Sequence, residues 1–550
     1  MIRSLNKNIA YYIKISTNTV NLILSTIFCL FYTLLPFKKW LRWENLTAEP
    51  LPEISYGDAS YYIGQLREII KGNYLLNNPH ILEHSQDGFS YGNSILFYFW
   101  GTLGRVLNLE TLQVYLIMVS INGVLLFYSM YFIYKKYIAS RLALILALSV
   151  YFFLIGPLGR PSPTEQLLPI LLFGISTLLP KITKNGNKSL NFSYIRKNID
   201  TYIFVVCTII LLLGHPFYGL VLFICTLLSW LILKEKKQII FYSSVTLNIC
   251  FFAYTVLLAP LDENQYGLRF GIYDSRLPGA ARITLPSILI SVFLLFLLKI
   301  SKSRQFRSKT NQRYALKVYL TLVLSILIAV NSQVVTGRAI PMESHFAHVW
   351  DVYWPLFSIG IVKFIIQFNN LGLTYTPHVD KISMIVLTVS IVTTVTKFDQ
   401  ISTYNSYNSD LLRDIRDNKK ITTVLIKNNS PTFSLGADII YHTDAFLYWS
   451  GYVSASRASQ QEILHRFACM QNSTISFDEY TDREGEIYLN KFSNYRLQRE
   501  QLNKYLKFIG VSVKPFFYRT QLISDYATYL DSRSQCDKDI LIYGADLIIE

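Results

Sequence analysis

Charge is scarce in this chain. Of its 550 residues only 16% are Asp, Glu, Lys or Arg, where a soluble protein carries about a quarter. That shortage, with 51% hydrophobic residues, excludes an ordinary soluble globular protein. Nucleotide chemistry lacks its usual marks. There is no Walker loop, Rossmann fingerprint or nucleophile elbow, and no CxxC pair, which argues against nucleotide-driven transport by this chain. Neither a low-complexity segment nor a tandem repeat of fixed period is visible. No small-residue cleavage site closes the first apolar run, so we read it as an uncleaved helix. Cysteines number six. Cys29, Cys207, Cys225 and Cys250 fall in predicted spans as packing residues. Cys469 and Cys536 lie in the polar C-terminal part and can pair if it faces an oxidising compartment.

What is present is a series of apolar blocks about 15–25 residues long, the length of transmembrane helices. Eleven spans are expected, near residues 17–36, 110–134, 142–156, 165–180, 199–213, 216–233, 238–258, 284–298, 318–335, 350–367 and 382–397. The pair 142–156 and 165–180 is short, and Pro169 is expected to interrupt the second. Residues 93–107 are apolar but short and glycine-broken, and read as an interfacial or re-entrant helix inside the long first loop, 37–109.

The net charge of +16 marks topology rather than nucleic acid, for which no partner role is expected. Stretches 1–16, 135–141, 181–198, 234–237, 299–317 and 368–381 hold 22 Lys and Arg in 78 residues. Stretches 37–109, 157–164, 214–215, 259–283 and 336–349 hold 11 in 122. The positive-inside rule puts the N-terminus in the cytoplasm, and an odd number of spans puts the C-terminus outside. After about Phe398 polar residues rise and no 18-residue apolar run remains. Residues 1–398 therefore read as a transmembrane domain and 399–550 as an extracytoplasmic α/β domain. Within it, 422–426 and 540–543 read as strands, and 459–467 and 503–509 as helices.

Chemistry concentrates in the first outer loop, in GDASYYIGQLREIIKGNYLLNNPHILEH, residues 57–84. Ionisable groups at the edge of an apolar chain are functional candidates. Asp58 starts a helix whose Ile63, Leu66, Ile69 and Ile70 share one face and which Gly72 can close. Asp58 is either the N-cap of that helix or a catalytic carboxylate just above the membrane. Pro79 can open a short helix in which His80, Glu83 and His84 would offer a weak divalent-metal set, since imidazoles four apart share a helical face. Ordinary loop polarity is the simpler reading. Five of the eight histidines, His80, His84, His215, His345 and His348, fall in outer loops.

The other outer loops carry arginine. Arg160 sits in GRPSP, Arg269, Arg276 and Arg282 in YGLRFGIYDSRLPGAAR, and Arg338 in TGRAIPMESHFAH after Gln333. An arginine fork donates two hydrogen bonds at once to a phosphate. Alternatively these side chains snorkel to headgroups or pair with Asp262, Glu263 and Asp274.

The first-loop piece above, together with GRPSPTEQLLP and NSQVVTGRAIPMESHF, resembles motifs of bacterial GT-C-like membrane proteins, in the GT-C superfamily of integral-membrane glycosyltransferases. The likeness covers roughly residues 15–400. It implies a GT-C-like polytopic α-helical fold, with Asp58 as catalytic base. Many GT-C enzymes pair two acids here, whereas Gly57 precedes Asp58 in this chain. It implies a polyprenyl-phosphate-linked sugar as donor and a glycan, lipid or protein as acceptor at the outer face of a cell inner membrane. Arg160, Arg269, Arg276, Gln333, Arg338 and His345 would bind substrate, and a divalent ion such as Mg or Mn would be the one cofactor. The alternatives are a transporter or flippase for a lipid-linked glycan and a catalytically inactive scaffold. A transporter should show polar residues deep in its spans and often internal repeats. Mid-span charges are few, Lys363 the clearest, and no repeat is visible, which speaks against transport.

Overall fold

The computed structural model describes residues 19–34, 58–75, 79–83, 85, 95–137, 140–152, 163–178, 193–233, 244–249, 273–274, 281–301, 310–336, 338–339, 343–368, 409–427, 432–449, 458–482, 519–543 and 545–549. Most of these are helical. In order they begin with α1 (Thr19–Leu34), α2 (Asp58–Lys71), α3 (Ile95–Val106), α4 (Thr111–Tyr137), α5 (Ser140–Val150) and α6 (Pro163–Leu178). Then come α7 (Ser193–Gly214), α8 (Pro216–Leu228) with a π-helical turn at Ser229–Leu233, α9 (Ala281–Ile300), α10 (Thr310–Val330), α11 (Ser332–Thr336) and α12 (Glu343–Phe368). Among the described residues three helices, over Thr111–Lys136, Arg282–Ile300 and Arg313–Val330, are long and apolar enough to cross a membrane. Of the expected span at 238–258 only 244–249 are described, and they are helical. The expected span at 382–397 lies outside the described residues.

One apolar core joins α1, α4 to α10 and α12. Its internal direction is fixed by polar contacts. Asn122 of α4 donates to the Glu165 carbonyl of α6 at 3.1 Å, and Lys136 of α4 reaches the Ser176 carbonyl. These two contacts, one near each end of α6, make α4 and α6 parallel neighbours, and α5 connects them by running back along α4. Pro169 does not interrupt α6, contrary to expectation. Proline removes the amide that would bond the carbonyl four residues back. That carbonyl belongs to Glu165, and Asn122 supplies the missing donor.

A second core lies at the start of α4. Leu112, Val114, Tyr115, Met118 and Val119 pack against Phe97 and Trp100 of α3 and against Ile63, Leu66 and Ile69 of α2. Gly101 allows the close approach: a Cβ there would lie 2.5 Å from the Ile69 Cγ2. Gly72 ends α2 in the left-handed region, φ 103°, which glycine adopts without a steric penalty.

The C-terminal segment holds a parallel three-stranded sheet in the order β4-β3-β5. Strand β3 is Thr423–Ile426, β4 is Phe446–Leu447 and β5 is Leu547–Ile549. Val424 pairs with Leu447 on one side and Leu547 on the other. Around it are α13 (Ser409–Asp417), α14 (Thr432–His442), α15 (Gln460–Met470), α16 (Phe477–Asp482) and α17 (Arg519–Tyr543). Ser459 caps α15, its side chain accepting from the Glu462 amide. The expected strand at 540–543 is instead the last turn of α17, and the strand comes just after, at β5. A disulfide joins Cys469 of α15 to Cys536 of α17. The expected helix at 503–509 lies outside the described residues.

Candidate functional site

Helix α2 begins at Asp58 itself, which places Asp58 at the first helical position, one beyond the capping position. Either position puts an acid at the positive end of the helix dipole. The apolar stripe forms as the spacing predicts, with Ile63, Leu66 and Ile69 fully buried. The opposite face is buried too, and that face is charged. Arg67 is 4% and Glu68 1% exposed.

What covers this face is the C-terminal segment. The Arg67 guanidinium donates to the carbonyls of Thr443 and Ala445, each at 3.1 Å, and of Ile440 at 3.3 Å. Its Nε bonds Glu68 at 2.9 Å, and the cation sits 5.1 Å from the Phe446 ring centre. Asn73 donates to the second Glu68 oxygen at 2.7 Å. A charge this deep is tolerable only with its hydrogen-bonding capacity met, and here the end of α14 meets it. At the rim, Lys71 reaches Asp444 at 2.8 Å. Partial desolvation raises the Asp444 carboxyl, but Lys71 outweighs this and holds it below the usual carboxylate range.

The chain after α2 continues the same contact. His80 is buried against Tyr61, ring centres 5.9 Å apart, and its carbonyl accepts from the Leu447 amide at 2.7 Å. Burial, with the Arg67 charge beside it, pushes the imidazole down to about 3. Ile81 joins the core of the C-terminal segment. Glu83 receives Arg466 at 3.2 Å. Arg466 is fully buried, and also bonds Glu462 and the Tyr448 carbonyl, each at 2.9 Å. Residues 79–83 are bends and a turn rather than a helix, so the helical spacing argument for a metal does not apply to them. Glu83 spends an oxygen on Arg466, which makes it a poor cation ligand in this arrangement.

A second juxtaposition links two arginine-bearing loops. Strand β1 (Tyr273–Asp274) pairs antiparallel with β2 (Arg338–Ala339), Asp274 opposite Arg338. Loops 259–283 and 336–349 are thus joined. Beside them, the Asn331 side chain donates to the Thr284 hydroxyl at 3.0 Å, tying the end of α10 to the start of α9. Gln333 is buried in α11, and His345 lies in the first turn of α12. Arg160, Arg269, Arg276 and His84 lie outside the described residues.

No family model matches the chain, and no curated protein matches it. Among solved structures it is similar to the oligosaccharyltransferase of Archaeoglobus fulgidus in its apo form. That match has a TM-score of 0.44 and 12% identity, over 78% of this chain and 64% of the other. The chain therefore spans less than two thirds of that protein's length.

Three groups stand beside the expected set. Arg67 and Arg466 are noted above. The third is a polar cluster where α6 and α8 begin. Glu165, Thr164 and His215 are buried together there, with the His215 Nε2 3.4 Å from the Thr164 hydroxyl. His215 also caps α8 through its Nδ1. Its place just before Pro216, at a span start, is the sequence signal for that cap.

Proposed function

We propose that the chain is a GT-C-like membrane glycosyltransferase, moving a sugar from a polyprenyl-phosphate-linked donor to a glycan, lipid or protein acceptor at the outer face of a cell inner membrane. The observation that carries most weight is the fixing of α2. The acid in the motif stretch begins a helix held on both faces, as a catalytic group needs. The pairing of β1 with β2 supports a shared basic site, because it joins two of the loops that supply arginine. Contact between α2 and the C-terminal segment supports an odd number of spans, since touching parts lie on one side of a membrane. The disulfide supports an oxidising side for that segment.

In this reading Asp58 takes the proton of an acceptor hydroxyl. The hydroxyl oxygen forms its bond to the anomeric carbon as the bond to the lipid phosphate oxygen breaks. The phosphate leaves with the bonding pair, and Arg269, Arg276 and Arg338 offset its charge. Arg160, Gln333 and His345 orient the donor. A divalent ion at His80, Glu83 and His84 is a separate proposal, tested by whether chelation changes the product.

The test is Asp58→Asn in the native host at matched expression, with surface glycans and lipid-linked sugars profiled by mass spectrometry. Loss of one sugar from a glycan with build-up of its lipid-linked form is the expected result. A deletion strain that changes the profile beside an Asn variant that does not would remove Asp58 from the chemistry. A full-length lipid-linked glycan stranded on the cytoplasmic leaflet would mark the transport alternative.

A further inference from the structure

We infer that the C-terminal segment is what holds helix α2 in working position, with Arg67 as the positioning residue. The docking stands on contacts alone; its consequence for turnover rests on the role of Asp58 proposed above.

The contact is reciprocal. From α2, Arg67 enters the C-terminal segment and takes three carbonyls at and just beyond the end of α14. From α15, Arg466 reaches back to Glu83 in the stretch after α2. Both guanidiniums are buried. Separating the two parts would strip Arg67 of these three carbonyls and leave it Glu68. It would also take Glu83 from Arg466, which keeps Glu462 and the Tyr448 carbonyl. The cost of a buried cation short of partners falls mainly on Arg67. The last carbonyls of a helix are otherwise unsatisfied, so Arg67 also completes α14.

Shape agrees with charge. A Cβ on Gly64 would lie 2.9 Å from Pro79 Cβ and 3.3 Å from Ile440 Cγ2. Glycine at this position lets α2, the 79–83 turn and α14 meet. The other side of α2 is taken by α3, through Ile69 on Gly101. Helix α2 is thus gripped from two directions, one near in sequence and one far. Asp58 lies nine residues before Arg67, about 13.5 Å along the helix axis. An undocked α2 would lose half its support and fray from the Asp58 end.

The experiment uses the full chain in native membranes with their own lipid-linked sugars. Lys71→Cys and Asp444→Cys place thiols on the two sides of an exposed bridge, to be joined by a short bis-thiol-reactive linker. The first readout is the rate of linking, seen as a mobility shift on denaturing gels. We expect fast linking in the parent, and about tenfold slower or less when Arg67→Ala or Gly64→Leu is added, the scale of one charge-assisted hydrogen bond. The second readout is the glycosylated product. It should fall with linking in both variants, and pre-formed linker should restore it in each, while Arg67→Lys recovers part of both. Linking in both variants as fast as in the parent overturns the docking. Product retained while linking is lost overturns the positioning role. If Asp58→Asn leaves the product intact while linking behaves as expected, the glycosyltransferase reading fails and the docking stands.

Discussion

Asn122 and Glu165 meet side chain to backbone, the amide of one on the carbonyl of the other at 3.1 Å. Pro169, four residues later, has no amide to give that carbonyl. In a bundle with little water a bare carbonyl is costly. Asn122→Leu should therefore destabilise the protein by about 1–3 kcal/mol. Adding Pro169→Ala restores an amide at 169 and should recover much of the loss. Thermal unfolding in detergent of the two single variants and the double variant measures this. Strictly additive losses would refute it.

Arg466 and Glu83 are unequal partners. Arg466 is fully buried and Glu83 is about one third exposed. Arg466→Ala removes the cation paired with Glu83 and the donor to Glu462 and the Tyr448 carbonyl together, and should cost about 3–5 kcal/mol. Glu83→Gln leaves Arg466 with two partners and should cost under about 1.5 kcal/mol. Chemical denaturation followed by tryptophan fluorescence will rank them, and equal losses would contradict the stated asymmetry.

Two histidines of the docked region are held neutral. Burial pushes His80 down to about 3, and burial with nearby Arg416 pushes His442 down to about 4. An unfolded histidine titrates near 6.5. Below that the unfolded chain binds more protons than the folded one, so stability falls with falling pH until the folded imidazoles also protonate. Stability should be full above about pH 6.5 and decline progressively towards about pH 4. His442→Phe should flatten part of that decline. A variant with an unchanged pH slope would show that His442 does not contribute.

The Cys469–Cys536 disulfide spans 67 residues of chain. Closing such a loop in the unfolded state is worth roughly 4 kcal/mol in the chain-entropy account. Cys469→Ser with Cys536→Ser should lower the unfolding temperature of the C-terminal segment, and non-reducing peptide mapping should recover the two cysteines linked. Alkylation of both thiols without reductant would show that the bond is absent.

Legibility in the sequence followed the range of the interactions. Local periodicity was enough for the buried stripe of α2 and for its end at Gly72. The cap at Ser459 and the strand over Thr423–Ile426 were likewise within reach. The apolar run at 540–543 misled because a short run alone does not distinguish a strand from a buried helical turn. There the run completes α17, whose middle is fastened to α15 by the disulfide. Pro169 read as a break because its remedy sits on another helix. The least legible feature was Arg67 with Glu68. By spacing they belong to a solvated face, and what covers that face is encoded far along the chain. For the same reason the joining of Asp274 to Arg338 left no local mark.

The separation of Arg67 from Ile440, 373 residues, also sets a clock. At about 5–20 residues per second, a ribosome needs roughly 20–75 s after Arg67 to reach Ile440. Through that interval α2 has α3 and α4 to pack on, while its charged face waits in water for a surface not yet made. The later segment then closes over α2. Loss of α14 therefore reaches back to damage α2, and nascent chains stopped before α14 should leave Lys71 open to amine labelling that the finished protein resists.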